Sequence, residues 1–85
     1  MPVAVHITAQ NMTKEDYDRV REELHADAGD KGRIYHAAYG DDDLHLFEVW
    51  DSRKNFDDHY NVRIANALGG AVSVEIAPLH GHEPT

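Results

Sequence analysis

Leu44-His45-Leu46-Phe47-Glu48-Val49-Trp50-Asp51-Ser52-Arg53-Lys54-Asn55-Phe56 decides the fold of this chain. Leu44 to Trp50 carry leucine, aromatic and β-branched side chains and read as an inner strand. The period changes at Asp51-Ser52, where an amphipathic helix begins. Leu44, Leu46, Glu48 and Trp50 share one face of the strand; His45, Phe47 and Val49 share the other. Both faces carry large apolar groups, whereas an antiparallel sheet with one wet face shows a cleaner split. Both faces are therefore expected to be covered. The chain's own two helices supply one cover, and a second subunit is expected to supply the other.

The elements around this strand follow from their periods. Val3, Val5 and Ile7 alternate with Ala4, His6 and Thr8, which marks a first strand over Val3 to Thr8. Thr13 is an N-cap, with Asp16 as the acidic half of a capping box and Met12 and Tyr17 at staple spacing. Tyr17, Val20, Leu24 and Ala28 form the apolar stripe of the first helix, and Gly29 is its left-handed cap. Arg33 to Tyr39 is a second strand, with Ile34, His36 and Ala38 on one face and Arg33, Tyr35, Ala37 and Tyr39 on the other. Gly40-Asp41-Asp42-Asp43 is a hairpin loop. Ser52, with Asp51 as the alternative, caps a second helix whose stripe is Phe56, His59, Tyr60, Arg63, Ile64, Ala67 and Leu68. Gly69-Gly70 stops it, and Ala71 to Pro78 is the fourth strand.

The order is strand, helix, strand, strand, helix, strand. With right-handed crossovers it closes as a ferredoxin-like α+β fold, βαββαβ, with a four-stranded antiparallel sheet and the first and third strands central. Residues 1–79 are expected to form one domain and residues 80–85 a flexible C-terminal tail.

Composition narrows the function classes. The chain has 85 residues, 16 acidic against 8 basic, for a formal charge of -8. Nucleic-acid binding requires Lys and Arg to neutralise phosphates, and an anionic lipid surface has the same requirement, so neither partner is expected. No apolar run is long enough to span a bilayer, and Met1-Pro2-Val3-Ala4-Val5 does not resemble a secretion signal; a cytoplasmic protein is expected. There is no cysteine, hence no disulfide and no thiol nucleophile. A chain this size buries only about 60% of the surface its unfolded form exposes, so its core is marginal.

The element order and the run Val49-Trp50-Asp51-Ser52-Arg53-Lys54-Asn55-Phe56-Asp57 resemble the dimeric α+β barrel superfamily, which contains the antibiotic-biosynthesis-type monooxygenases. Met12-Thr13-Lys14-Glu15-Asp16-Tyr17 adds to the likeness. These are structural motifs, a cap, a turn and a core aromatic, on a fold that hosts unrelated activities. The resemblance implies a homodimer whose two sheets face each other as a barrel, with the ligand pocket of each subunit between its sheet and its own helices. It also implies a cofactor-independent monooxygenase-like enzyme or a binder of a small aromatic ligand, with no cofactor. In such oxygenases the substrate anion supplies electrons to oxygen, and the protein supplies an apolar cavity and a base or hydrogen-bond donor. The alternative is a non-catalytic dimeric structural or accessory protein.

Seven histidines are the main candidates for chemistry. A neutral imidazole, with a pKa near about 6.5, can take a phenolic proton. His59, on the inner stripe of the second helix, is the first candidate, followed by His36 and His6 on strands. Glu48 or Glu75 could instead pair with the two strand histidines. Tyr17, Tyr35, Trp50, Phe56 and Tyr60 are the candidate ligand-binding walls. His45 is expected at the rim of the hairpin and His25 on the polar surface of the first helix. If His6, His36 or His59 is buried neutral, stability should fall between about pH 7 and 5. The haem-degrading branch of the superfamily uses a first-strand Asn that this chain lacks. His80-x-His82-Glu83 and the Asp41-Asp42-Asp43 turn have no diagnostic metal-ligand spacing, so no metal site is expected.

Overall fold

The computed structural model describes residues 1–25, 31–58, 62–68 and 72–81. The helix stops at Gly29 and Gly69-Gly70, Ala28, Ala71, the candidate residues His59 and Tyr60, and tail residues 82–85 lie outside the described residues. The elements are β1 (Val3–Ala9), α1 (Lys14–His25), β2 (Arg33–Tyr39), β3 (Leu44–Trp50), α2 (Arg53–Phe56), α3 (Val62–Leu68) and β4 (Val72–Pro78). This is the βαββαβ topology, with the second helical segment described as α2 and α3. Its backbone widens to a π-type turn at Asp57 and Asp58.

The sheet order is β2-β3-β1-β4, antiparallel throughout, with β1 and β3 central as the element order indicated. Val3, Val5, Ile7 and Ala9 of β1 and Leu44, Leu46 and Trp50 of β3 point to the helix side. Leu24 of α1, Phe56 of α2 and Ile64 and Leu68 of α3 close the core over them. Trp50 and Phe56 meet edge to face with ring centroids 5.7 Å apart. Each such side chain contributes about 1.5–3 kcal/mol through removal from water.

Local chemistry sets the element ends. The Thr13 hydroxyl accepts from Asp16 N at 3.4 Å while Asp16 Oδ2 accepts from Thr13 N at 3.0 Å, a capping box with aspartate in the usual glutamate place. Ser52 Oγ accepts from Asn55 N at 3.1 Å and caps α2. Gly40 turns the hairpin at φ +118°, where an added Cβ would lie 2.1 Å from the Asp43 carbonyl oxygen.

One strand departs from its alternation. Arg33 pairs with Trp50 and Tyr35 with Val49, so Ile34 is an extra residue in β2. This bulge turns Arg33 to the helix side, the same side as His36, instead of the side it would share with Tyr35 in a regular strand. Ile34 is left exposed.

The opposite face of the sheet has no helix over it among the described residues. It carries Ala4, His6 and Thr8 of β1, Tyr35, Ala37 and Tyr39 of β2, His45, Phe47 and Val49 of β3, and Ser73, Glu75 and Ala77 of β4. Tyr35 and Tyr39 are half exposed there. No described helix is long and apolar enough to cross a membrane.

Candidate functional site

Glu48 is a charged side chain in the middle of the core sheet, at 0% exposure. It stands directly opposite His36 across the β2–β3 pair. A carboxylate buried this deeply requires donors, because it has lost its water. Three N–H groups converge on it. His36 Nδ1 lies 2.7 Å from Oε2, Trp50 Nε1 donates to Oε1 at 2.8 Å, and Arg33 Nη1 reaches Oε2 at 3.4 Å. Trp50 is two residues along the same strand, so the period of two brings its indole to the same face.

The network continues to α1. His36 Nε2 lies 2.9 Å from the Tyr17 hydroxyl, which lies 3.2 Å from His25 Nε2. His25 Nδ1 is 2.7 Å from Arg33 Nη2, and Arg33 Nη1 also donates to the Leu24 carbonyl at 3.1 Å. That carbonyl belongs to the last turn of α1, where carbonyls have no helical partner and a cation is favoured. The chain thus closes on itself: Glu48, His36, Tyr17, His25 and Arg33. Glu48 accepts from His36 Nδ1, which leaves Nε2 of the neutral ring as an acceptor for the Tyr17 O–H. The constellation is an ionisable hydroxyl, an imidazole and a buried carboxylate in hydrogen-bonded series. That arrangement can move a proton from the hydroxyl to the imidazole and stabilise the resulting charge.

Burial raises the Tyr17 pKa, with the nearby Arg21 and Arg33 charges acting against it, so the phenol is held protonated. Burial lowers the His25 pKa, reinforced by His36 and Arg33 close by, so this ring is held neutral.

Tyr17 also lines a cleft of about 240 Å³ between the start of α1 and the β2–β3 hairpin, with Met12, Lys14, Ala38, Tyr39 and Leu44 among its walls. This is somewhat below the roughly 300–1,000 Å³ of drug-sized sites, but above the roughly 150 Å³ that holds a benzene ring. It therefore suits a ligand of one or two rings.

The candidate residues divide between the two sheet faces. Tyr17, His36, Trp50 and Phe56 lie on the helix side; Trp50 and Phe56 are fully buried in the core. His6 and Tyr35 lie on the opposite face. There His6 Nε2 is 3.1 Å from His45 Nδ1, and His6 Nδ1 is 3.4 Å from Glu75 Oε1. His45 stacks between His6 and Tyr39. Both carboxylates offered as histidine partners are used, Glu48 by His36 and Glu75 by His6. His25 is not ordinary surface but a half-buried member of the network, and Arg33 joins it through the bulge. The signal for His25 was its position eight residues after Tyr17, about 80° round the helix at 3.6 residues per turn.

No protein-family model matches the sequence, and no curated protein matches it. Solved structures do match over nearly the whole chain. Rv0793 from Mycobacterium tuberculosis is 25% identical, with TM-score 0.62 over 98% of this chain and 100% of that one. The uncharacterized protein TM1266 from Thermotoga maritima is 16% identical, with TM-score 0.60 over 92% of this chain and 95% of that one. SnoaB, a cofactor-independent oxygenase from Streptomyces nogalater, is 14% identical, with TM-score 0.63 over 98% of this chain and 94% of that one. What the chain has in common with them is the fold, a small α+β domain with a four-stranded antiparallel sheet.

Proposed function

We propose that this protein is a cofactor-independent, monooxygenase-like enzyme that binds a small hydroxylated aromatic ligand and ionises it. The observation that carries the reading is the series Tyr17, His36 and Glu48, beside a cleft of one- to two-ring size. A ligand hydroxyl in the cleft donates to a lone pair of the Tyr17 oxygen. Its proton passes to Tyr17 as the Tyr17 proton passes to His36 Nε2, and Glu48 balances the imidazolium. Tyr17 then donates to the ligand oxyanion, whose raised electron density is what dioxygen needs. The fold similarity to an oxygenase supports the class of chemistry and not a particular reaction.

In this reading the protein works as a homodimer, with the open sheet faces of two copies packed together and Tyr35, Phe47 and Tyr39 in the contact. His59 and Tyr60 remain proposed members of the ligand site on the helix side, as do Trp50 and Phe56 as its inner support. The competing reading, a non-catalytic dimeric module, draws on the completeness of the network: among the described residues no buried side-chain polar atom lacks a partner.

The test uses 1-naphthol, whose anion has its own absorption band, with an oxygen electrode. Binding with growth of the naphtholate band and oxygen uptake, all lost in Tyr17→Phe and His36→Gln, is the expected result. Binding without ionisation or oxygen uptake would favour the non-catalytic module, and absence of binding would remove the aromatic-ligand reading.

A further inference from the structure

Arg33, like the Trp50 indole, can only donate to the network. Its side chain is 9% exposed, and its guanidinium touches the Leu24 carbonyl, His25 Nδ1 and Glu48 Oε2. A guanidinium facing His25 Nδ1 at 2.7 Å forces that nitrogen to accept. The neutral His25 ring then carries its proton on Nε2, which faces the Tyr17 oxygen 3.2 Å away. With an N–H aimed at its oxygen, Tyr17 has no acceptor in His25 for its own proton. The acceptor left is His36 Nε2 at 2.9 Å. Followed from its other end, the chain gives the same answer: Glu48 fixes the His36 proton on Nδ1. Arg33 Nη1 lies 3.3 Å from that nitrogen, and both N–H groups are drawn to the same Glu48 oxygen.

We infer that Arg33 is a positioning residue that sets the direction of the proton chain: it locks His25 as a donor, so that the Tyr17 proton is committed to His36. This rests on the reading of Tyr17, His36 and Glu48 as the proton-moving series and adds its direction. Without Arg33, His25 can take either tautomer. In the other one its Nε2 is an acceptor that competes with His36 for the Tyr17 proton, with no carboxylate behind it to hold the charge. The bulge at Ile34 is the backbone feature that makes the lock, since a regular strand would turn Arg33 to the opposite sheet face. Arg33 also caps α1 and pairs with Glu48, and a purely structural residue would do both. The tautomers separate the two roles.

The experiment labels histidine nitrogens isotopically and reads each ring's protonated nitrogen from long-range proton–nitrogen correlation spectra, without ligand. The expected wild-type result is His25 protonated on Nε2 and His36 on Nδ1. In Arg33→Lys, which keeps a cation near Glu48 but loses the fork that spans it and His25, the His25 signals should move toward a mixture of tautomers. Wild-type His25 protonated on Nδ1, or His36 on Nε2, overturns the inference whether or not any variant folds. An unchanged His25 tautomer in folded Arg33→Lys overturns it as well. Because no ligand is used, the expected tautomers together with a protein that fails to ionise 1-naphthol would sink the proposed enzyme while leaving the lock intact. Ionisation with the wrong tautomers would do the reverse.

Discussion

His36 Nδ1 and Glu48 Oε2 lie 2.7 Å apart across the β2–β3 pair, in a region where neither side chain is more than 9% exposed. A charged group costs several kcal/mol to bury, and that cost is offset only if its donors are in place. Glu48 therefore holds the histidine, the indole and the guanidinium together, and each of them justifies its burial.

Removing Glu48 should be severe. Glu48→Ala leaves Arg33 buried beside an empty acceptor site and is expected to cost about 3–5 kcal/mol. That is a large part of the roughly 0.05–0.15 kcal/mol per residue that holds a domain together. Glu48→Gln keeps acceptor oxygen for one donor and should cost less. Urea denaturation followed by circular dichroism gives both values. Equal stability of wild type and Glu48→Ala would show that the carboxylate is dispensable.

Tyr17→Phe removes the hydroxyl between two imidazoles but keeps the ring against the core. His36 Nε2 then loses its donor, and the expected loss is about 1–3 kcal/mol. Thermal unfolding at fixed pH would measure it. A loss near zero would mean that water replaces the hydroxyl and that the series is not closed.

Much of this arrangement was legible in the sequence. The alternation of Val3-Val5-Ile7 and of Leu44-Leu46-Trp50 gave two strands and their apolar faces, and the element order put both strands at the centre of the sheet. The doubled apolar character of β3 also separated Phe47 and Val49 from the core side. The partners Glu48 and Glu75 could be named, although their assignment to His36 and His6 needed the register. Arg33 and His25 were misplaced for a physical reason. Alternation places Arg33 beside Tyr35 only if the strand is regular, and a one-residue bulge reverses every side chain beyond it. His25 lies at the edge of the α1 stripe, where polar residues are usually solvated, and the arginine brought over by the bulge joins Tyr17 and His36 in making it part of the interior.

The pH dependence follows from two groups. The His25 pKa is lowered by burial, with His36 and Arg33 adding to the effect. Its contribution to stability is present above the unfolded histidine value of about 6.5 and is lost as pH falls through the lower folded value. The Tyr17 pKa is raised, chiefly by burial. Its contribution is present below the unfolded value of about 10 and is lost as pH rises through the folded one. Stability should therefore decline on both sides of neutrality. The lowered His25 pKa is the source of the acid limb. His25→Gln should flatten that limb, and an unchanged limb in this variant would assign it elsewhere.

The dimer can be tested on the open sheet face, where the two apolar residues of β3 differ in a useful way. Val49 is already 4% exposed within one copy, whereas Phe47 is partly open and meets Tyr35 edge to face, with centroids 6.1 Å apart. Val49→Asp buries a carboxylate without a donor in each subunit and should unfold the chain whatever its assembly state. Phe47→Asp places the charge where a second sheet would pack, so it should act on assembly first. Light scattering of wild type should give twice the subunit mass, and Phe47→Asp should give a single subunit with a weakened fold, because obligate dimers often have no stable monomer. A monomeric wild type, or a Phe47→Asp variant that stays dimeric with its circular dichroism unchanged, would show that this face is not the contact. The open face would then be exposed in solution, and the half-exposed Tyr35 and Tyr39 would call for a different partner.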